Sequence, residues 1–198
     1  MQASDSGKHY QLTASTSLPN QLGEHSHSRN IPPDELLRLY KAGKRDFPRV
    51  DLSKRVLSGV NLKWSNLRGA KLNKTVLVGV NLTDASLSEG DLSEAKLYST
   101  VLAGANLRKV NLNRAELRGV NLTNANLVRA NLSGANLQKV NLSGADLTGA
   151  NLRGADLQKV NLSGAKLQGV DWTGAQFRDA EMTGVQLLGH SSLVSQSC

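Results

Sequence analysis

The segment Leu137-Gln138-Lys139-Val140-Asn141-Leu142-Ser143-Gly144-Ala145 returns letter for letter twenty residues later, as Leu157 through Ala165. A shorter beat runs inside it, with leucines at Leu137 and Leu142 and again at Leu157 and Leu162. Stepping outward by fives meets leucine at every step from Leu52 to Leu167, then Trp172, Phe177, Met182 and Leu187. That makes 28 consecutive apolar centres with no insertion, and Phe47 stands one step earlier in the same register.

Let i denote the apolar centre. Position i−2 is Ala in 14 of the 28 repeats and Val in 9; i−1 is Asn or Asp in 17; i+2 is Gly in 14. The consensus is A/V-N/D-L-x-G. A continuous α-helix cannot use it, because a step of five turns the chain by about 140° and the leucines would spiral around the axis. A continuous strand fails too, since five is odd and successive leucines would face opposite ways. A short strand followed by a corner does work. Residues i−2 and i then point inward, i−1 points outward, and i+1 and i+2 turn the chain. Gly at i+2 permits the positive φ of a type II turn. Lys, Arg or Glu there predicts a type I-like turn, so a coil of mixed turn types is expected.

The longer period sets the number of sides. Val60, Val80, Thr100, Val120, Val140 and Val160 are β-branched i−2 residues twenty apart, with Ala180 ending the row. Stacking at twenty means four pentapeptides per coil, so 28 repeats make seven coils. At a strand spacing of ~4.8 Å they rise about 34 Å. Outward Asn121, Asn141 and Asn161 stack in register and are candidates for side-chain ladders.

The A-(D/N)-L-x-x series resembles the pentapeptide repeat family over residues 47–189. The resemblance implies an all-β fold, a right-handed quadrilateral parallel β-helix. Asp34-Glu35-Leu36-Leu37-Arg38-Leu39-Tyr40-Lys41-Ala42-Gly43-Lys44-Arg45-Asp46-Phe47 is also similar to the segment that leads into the repeats of many cyanobacterial members.

Outside the repeats, residues 1–30 are rich in Ser, Gln, His and Asn, lack an apolar period and are read as a disordered tail. Pro32-Pro33-Asp34 starts a short helix and Gly43 stops it, giving an N-terminal capping helix within 31–46. Arg55 occupies an inner i−2 position, which only an end coil tolerates. Trp172, Phe177 and Met182 are expected to plug the last coil, and 190–198 reads as a tail. There is neither a membrane-spanning apolar run nor a signal-peptide pattern, so a cytoplasmic protein is expected.

No catalytic constellation is found, and no cofactor or metal is expected. His25 and His27 lie in the tail, His190 follows the repeats, and Cys198 has no structured basic neighbour. Asp91 and Glu94 are outward carboxylates, and Gly90 is the one repeat glycine at an inner position. Enzyme activity is therefore not expected.

Binding surfaces offer more. Val56, Val76, Val78, Tyr98 and Val101 are outward apolar residues of the first three coils and form one candidate partner-contact patch. The competing expectation is that the N-terminal segment or cap covers it. Val128 and Leu188 also point outward, further along, and Trp64 stands at a corner. The chain has a formal charge of +8. Lys109 and Arg129 stack on one corner, Lys139 and Lys159 on the opposite one, and Arg114 and Arg153 on a third. Nucleic-acid binding wants one basic stripe with interleaved aromatics and is not expected. The reading is a non-catalytic protein-interaction or regulatory module. The alternatives are a gyrase modulator that imitates DNA, as some members of the family do, or a structural rod that binds an anionic partner. Positive charge counts against the first, and Asp84, Glu89, Asp91 and Glu94 are too scattered to reverse it.

Inward and outward positions have separable consequences. Leu122→Ala should destabilise by about 2–5 kcal/mol, whereas Asn121→Ser in the same repeat should cost far less. Equal losses in denaturant melts would show the assignment to be wrong.

Overall fold

The computed structural model describes residues 30–187. The calls on residues 1–29, Leu188, His190 and Cys198 fall outside the described residues. A helix, α1 (Pro33–Lys41), precedes the repeats. Proline starts it and acidic Asp34 and Glu35 fill the first turn, where the N–H groups favour negative charge. It ends in a Schellman arrangement. The Lys44 N–H donates to the Leu39 carbonyl and the Gly43 N–H to Tyr40, both at 3.0 Å, with Gly43 at φ 91°.

From Asp46 onward the chain is a four-sided coil. Parallel bridges join residues twenty apart, from Asp46–Asn66 to Lys166–Gln186. The leucines from Leu52 to Leu167 are at most 2% exposed and form one continuous core with the inner Ala and Val residues. Polar inner residues are satisfied by carbonyls: Ser65 Oγ donates to Leu62 at 2.7 Å, Thr75 Oγ1 to Leu52 at 2.8 Å, and Thr100 Oγ1 to Leu77. Inner Gly90 has no room for a methyl, because a Cβ would lie 3.0 Å from the Leu87 carbonyl oxygen and 3.2 Å from that of Ala70.

One repeat shows how the backbone closes. The Val120 N–H donates to the Leu117 carbonyl across the turn at 3.0 Å. Asn121 N–H reaches back to Thr100 at 3.1 Å, while Leu122 and Asn124 N–H reach forward to Asn141 at 2.8 Å and Ser143 at 2.9 Å. The fifth donor, Thr123 N–H, has no carbonyl and is taken by the Asn121 side-chain Oδ1 at 3.0 Å. The same Asx turn holds the i+1 N–H at all 17 repeats with Asn or Asp at i−1. This is the physical reason for the N/D column.

The expectation of mixed turns is corrected. The i+2 residue has positive φ in every described repeat, whether glycine, as at Gly134 (64°) and Gly174 (72°), or not, as at Arg114 (55°) and Glu89 (61°). A left-handed non-glycine residue costs roughly 1–2 kcal/mol. The i+2 N–H bond to the following coil offsets that cost. Lys109, for example, donates to Val128 at 2.9 Å. Gly104 and Gly144 leave room for the side-chain oxygens of Asp84 and Asn124 from the coil before, which a Cβ would push aside.

The ladder expectation is also relocated. Asn121, Asn141 and Asn161 do stack, but their Oδ1 atoms hold the N–H groups of Thr123, Ser143 and Ser163. A ladder forms instead where Asn131 Nδ2 donates to Asn111 Oδ1 at 3.2 Å and Asn111 Nδ2 to Asp91 Oδ1 at 3.0 Å. At the far end Trp172 and Phe177 meet edge to face, centroids 5.9 Å apart, and with Met182 and Leu187 they pack half-buried against the core.

Aspartates in the N/D column carry a pH dependence. The Ser53 hydroxyl holds the Asp51 carboxyl below its usual range, and the Thr173 hydroxyl does the same for Asp171. Burial pushes Asp146 up, but the Thr148 hydroxyl and N–H together with Lys166 bring it below the ordinary value. A depressed carboxyl contributes fully above its unfolded pKa of about 4 and loses that contribution as pH falls through the folded value. Stability should therefore decline in acid below about pH 4. The triple change Asp51→Asn, Asp146→Asn, Asp171→Asn should flatten that decline, because Asn keeps the Oδ1 acceptor. Urea melts at neutral and acid pH check this, and an unchanged acid loss would contradict it.

Candidate functional site

The Asx turn is missing at 11 of the 28 repeats; eight of these carry Lys, Ser, Glu or Gln at i−1, and three carry valine. At Val56, Val76 and Val101 the N/D position is valine, and among the described residues the following N–H groups of Ser58, Val78 and Ala103 have no acceptor. The valines give up a turn bond and place an apolar side chain on the outer surface. Val56 is 65% exposed, while Val76, Val78, Tyr98 and Val101 are half-buried by their neighbours.

The coil sets these five residues on adjoining sides and corners of the first three coils. Val56 and Val76 are bridged on one side. Val78 and Tyr98 follow at the next corner, where the Gly79 N–H donates to the Tyr98 carbonyl at 3.0 Å. Val101 lies on the side beyond, bridged to Asn81 and Asn121. Burial raises the Tyr98 phenol pKa, helped by the charge of Glu116 and a hydrogen bond to it. Glu116 also accepts from Asn136 Nδ2 at 3.2 Å, so the tyrosine hydroxyl is anchored in a polar chain.

α1 does not cover this patch. Its Leu36 is fully buried at the end of the core, and Tyr40 Oη donates to the Lys63 carbonyl at 3.1 Å, with Arg45 stacked 3.9 Å over the Tyr40 ring. The first coil is thus covered unevenly. Inner Val50 and Ser65 are buried, whereas Val60 is half-buried and Arg55 exposed. Arg55 does sit in an end coil, and what sequence reasoning missed is that this end is half open among the described residues. Trp64 is 62% exposed at its corner, with Lys63 Nζ 5.8 Å from the ring centroid.

Charges are dispersed around the rod. Arg108, Lys109 and Arg129 are exposed on one corner and Lys139 and Lys159 on the opposite one. The acidic residues are engaged separately: Glu89 with Arg68 at 3.1 Å, Glu94 with Lys74 at 3.5 Å, and Asp91 with Ser93 and Asn111. No acidic stripe results. Among the described residues no group of three or more His, Cys, Asp or Glu is placed to hold a metal ion, and no helix is long and apolar enough to cross a membrane.

The model of the pentapeptide repeats matches residues 46–84, 75–114, 115–154 and 155–187, with 8 copies. No curated protein matches the chain by sequence. Among solved structures the chain is similar to HetL, a pentapeptide repeat protein involved in heterocyst differentiation regulation in the cyanobacterium Nostoc. Identity is 30%, over 82% of this chain and 99% of HetL, with a TM-score of 0.39. A second Nostoc pentapeptide repeat protein is 28% identical over 72% of this chain and 93% of its own, with a TM-score of 0.38. One from the Arabidopsis thaliana thylakoid lumen is 29% identical over 51% and 67%, with a TM-score of 0.42. The matched repeats fill most of the chain. With its unbroken five-residue register and parallel pairing at twenty, it is a right-handed β-helical solenoid and belongs to the pentapeptide repeat family.

Proposed function

We propose that this protein is a non-catalytic, cytoplasmic interaction module: a seven-coil rod, capped by α1, that docks another protein through Val56, Val76, Val78, Tyr98 and Val101. One observation carries the reading. Valine replaces the turn-holding Asn or Asp at three outward positions, all on adjoining sides of the first coils. A local rule broken without structural return marks a surface kept for something else. Tyr98, with an apolar ring and an anchored hydroxyl, is the residue type that dominates protein interfaces. A gyrase modulator that imitates DNA is the weaker reading, because exposed cations on several corners oppose a basic DNA saddle.

Tyr98→Glu places a charge in the centre of the patch while leaving the core untouched. Affinity capture from the native cell, read by mass spectrometry, should lose with Tyr98→Glu a protein that the unaltered chain retains, at a nearly unchanged melting temperature. Retention of every captured protein by the variant would overturn the reading.

A further inference from the structure

The open half of the first coil offers more than apolar surface. In every later coil the i−1 residue uses both backbone groups on the coil before it. Val76 N–H donates to Arg55 at 2.8 Å, and the Val76 carbonyl accepts from Leu57 at 2.9 Å. Val56 has no coil before it. Among the described residues neither its N–H nor its carbonyl has a partner, and its side chain is 65% exposed. Among the described residues this is a free strand edge.

On another side of the same coil the chain shows what fills such an edge. Residues 45–47 lie along it, ahead of the turn at Pro48 and Arg49: Asn66 N–H donates to Arg45 at 2.7 Å, Phe47 N–H to Asn66 at 2.8 Å and, from the turn, Arg49 N–H to Arg68 at 2.8 Å. The Val56 side has the same backbone polarity and lacks that strand. Charge indicates the kind of segment it would take. Lys54, Arg55 and Lys96 are exposed beside Val56 and Val76. The nearby acids are already engaged, Asp51 by Ser53 and Lys71, and Glu94 by Lys74. An added strand would set one residue over Val56 and its chain neighbour toward Arg55, because successive side chains alternate.

Building on the docking role proposed above, we infer that the Val56 edge binds an extended segment of a partner protein with alternating acidic and apolar residues, added as a further β-strand. Main-chain bonds to Val56 provide the anchor, and Arg55 provides the preference for acid. Residues 1–29 of this chain are a poorer fit, because Asp5 and Glu24 are balanced there by Lys8 and Arg29.

The probe is a fluorescein-labelled peptide, Glu-Val-Glu-Val-Glu-Val, with its Lys-Val counterpart as control, titrated against the full-length chain by fluorescence polarisation. Saturable binding of the Glu-Val peptide should shift the Val56 amide resonance and weaken with salt. Arg55→Glu should lower its affinity about ten-fold or more, and Arg178→Glu at the far end should leave it unchanged. Three results would each overturn the proposal: no saturable binding, equal binding of both peptides, or indifference to Arg55→Glu. A Val56 amide already protected from exchange in the isolated full-length chain would also overturn it, and would make the chain's own N-terminal residues the occupant. Loss of capture by Tyr98→Glu without peptide binding would sink the edge proposal and leave the docking role intact.

Discussion

The fold depends on four backbone N–H groups of an inner repeat bonding to carbonyls, with the fifth held by an Asn or Asp side chain at 17 of the 28 repeats. Buried or crowded donors are costly when unpaired. In the repeat around Leu122, one N–H closes its own turn, one reaches back a coil, two reach forward and one is held by a side chain. Stacking supplies three of these partners, the turn supplies the fourth and the Asn side chain the fifth. Leucine packing drives the coil closed, but it does not choose the register. The bonds do, because a slip by one residue would strand every ladder donor and turn the leucines outward.

That constraint explains how much could be read from the sequence. The period of five and the period of twenty are direct images of side and coil, so the inner column, the bridges and the family were legible. The N/D column was legible as a pattern but not as a mechanism, since an outward Asn looks merely solvated until Thr123 N–H is seen on Asn121. The turns were misjudged because propensity alone disfavours a left-handed lysine or arginine. At Lys109 and Arg129 the coil-to-coil bond outweighs it. Tertiary context overrode a local preference.

The patch was legible in outline and the open end was not. Val56, Val76, Val78, Tyr98 and Val101 follow from residue type and register. The anchoring of Tyr98 through Glu116 to Asn136 needs three successive coils in contact, which no local pattern announces. Uneven coverage by α1 is likewise a property of the helix's seat, fixed by Leu36 in the core and Tyr40 on Lys63. Two features with separate origins, a missing side-chain acceptor and a missing strand, thus meet at Val56. The regularity elsewhere makes that coincidence visible: a solenoid that repeats its bonding scheme gives every departure a reference twenty residues away.

Amide hydrogen exchange, resolved residue by residue, tests the accounting most directly. Protection should be strong at the ladder and turn amides of each inner coil. At i+1 it should depend on what precedes: slow at Thr123, Val128 and Ser143, where Asn holds the N–H, and fast at Val78 and Ala103, where valine stands instead. Equal exchange at these two groups would contradict the claim that the Asx turn closes the repeat, and with it the reading of the valines as a surface kept for a partner.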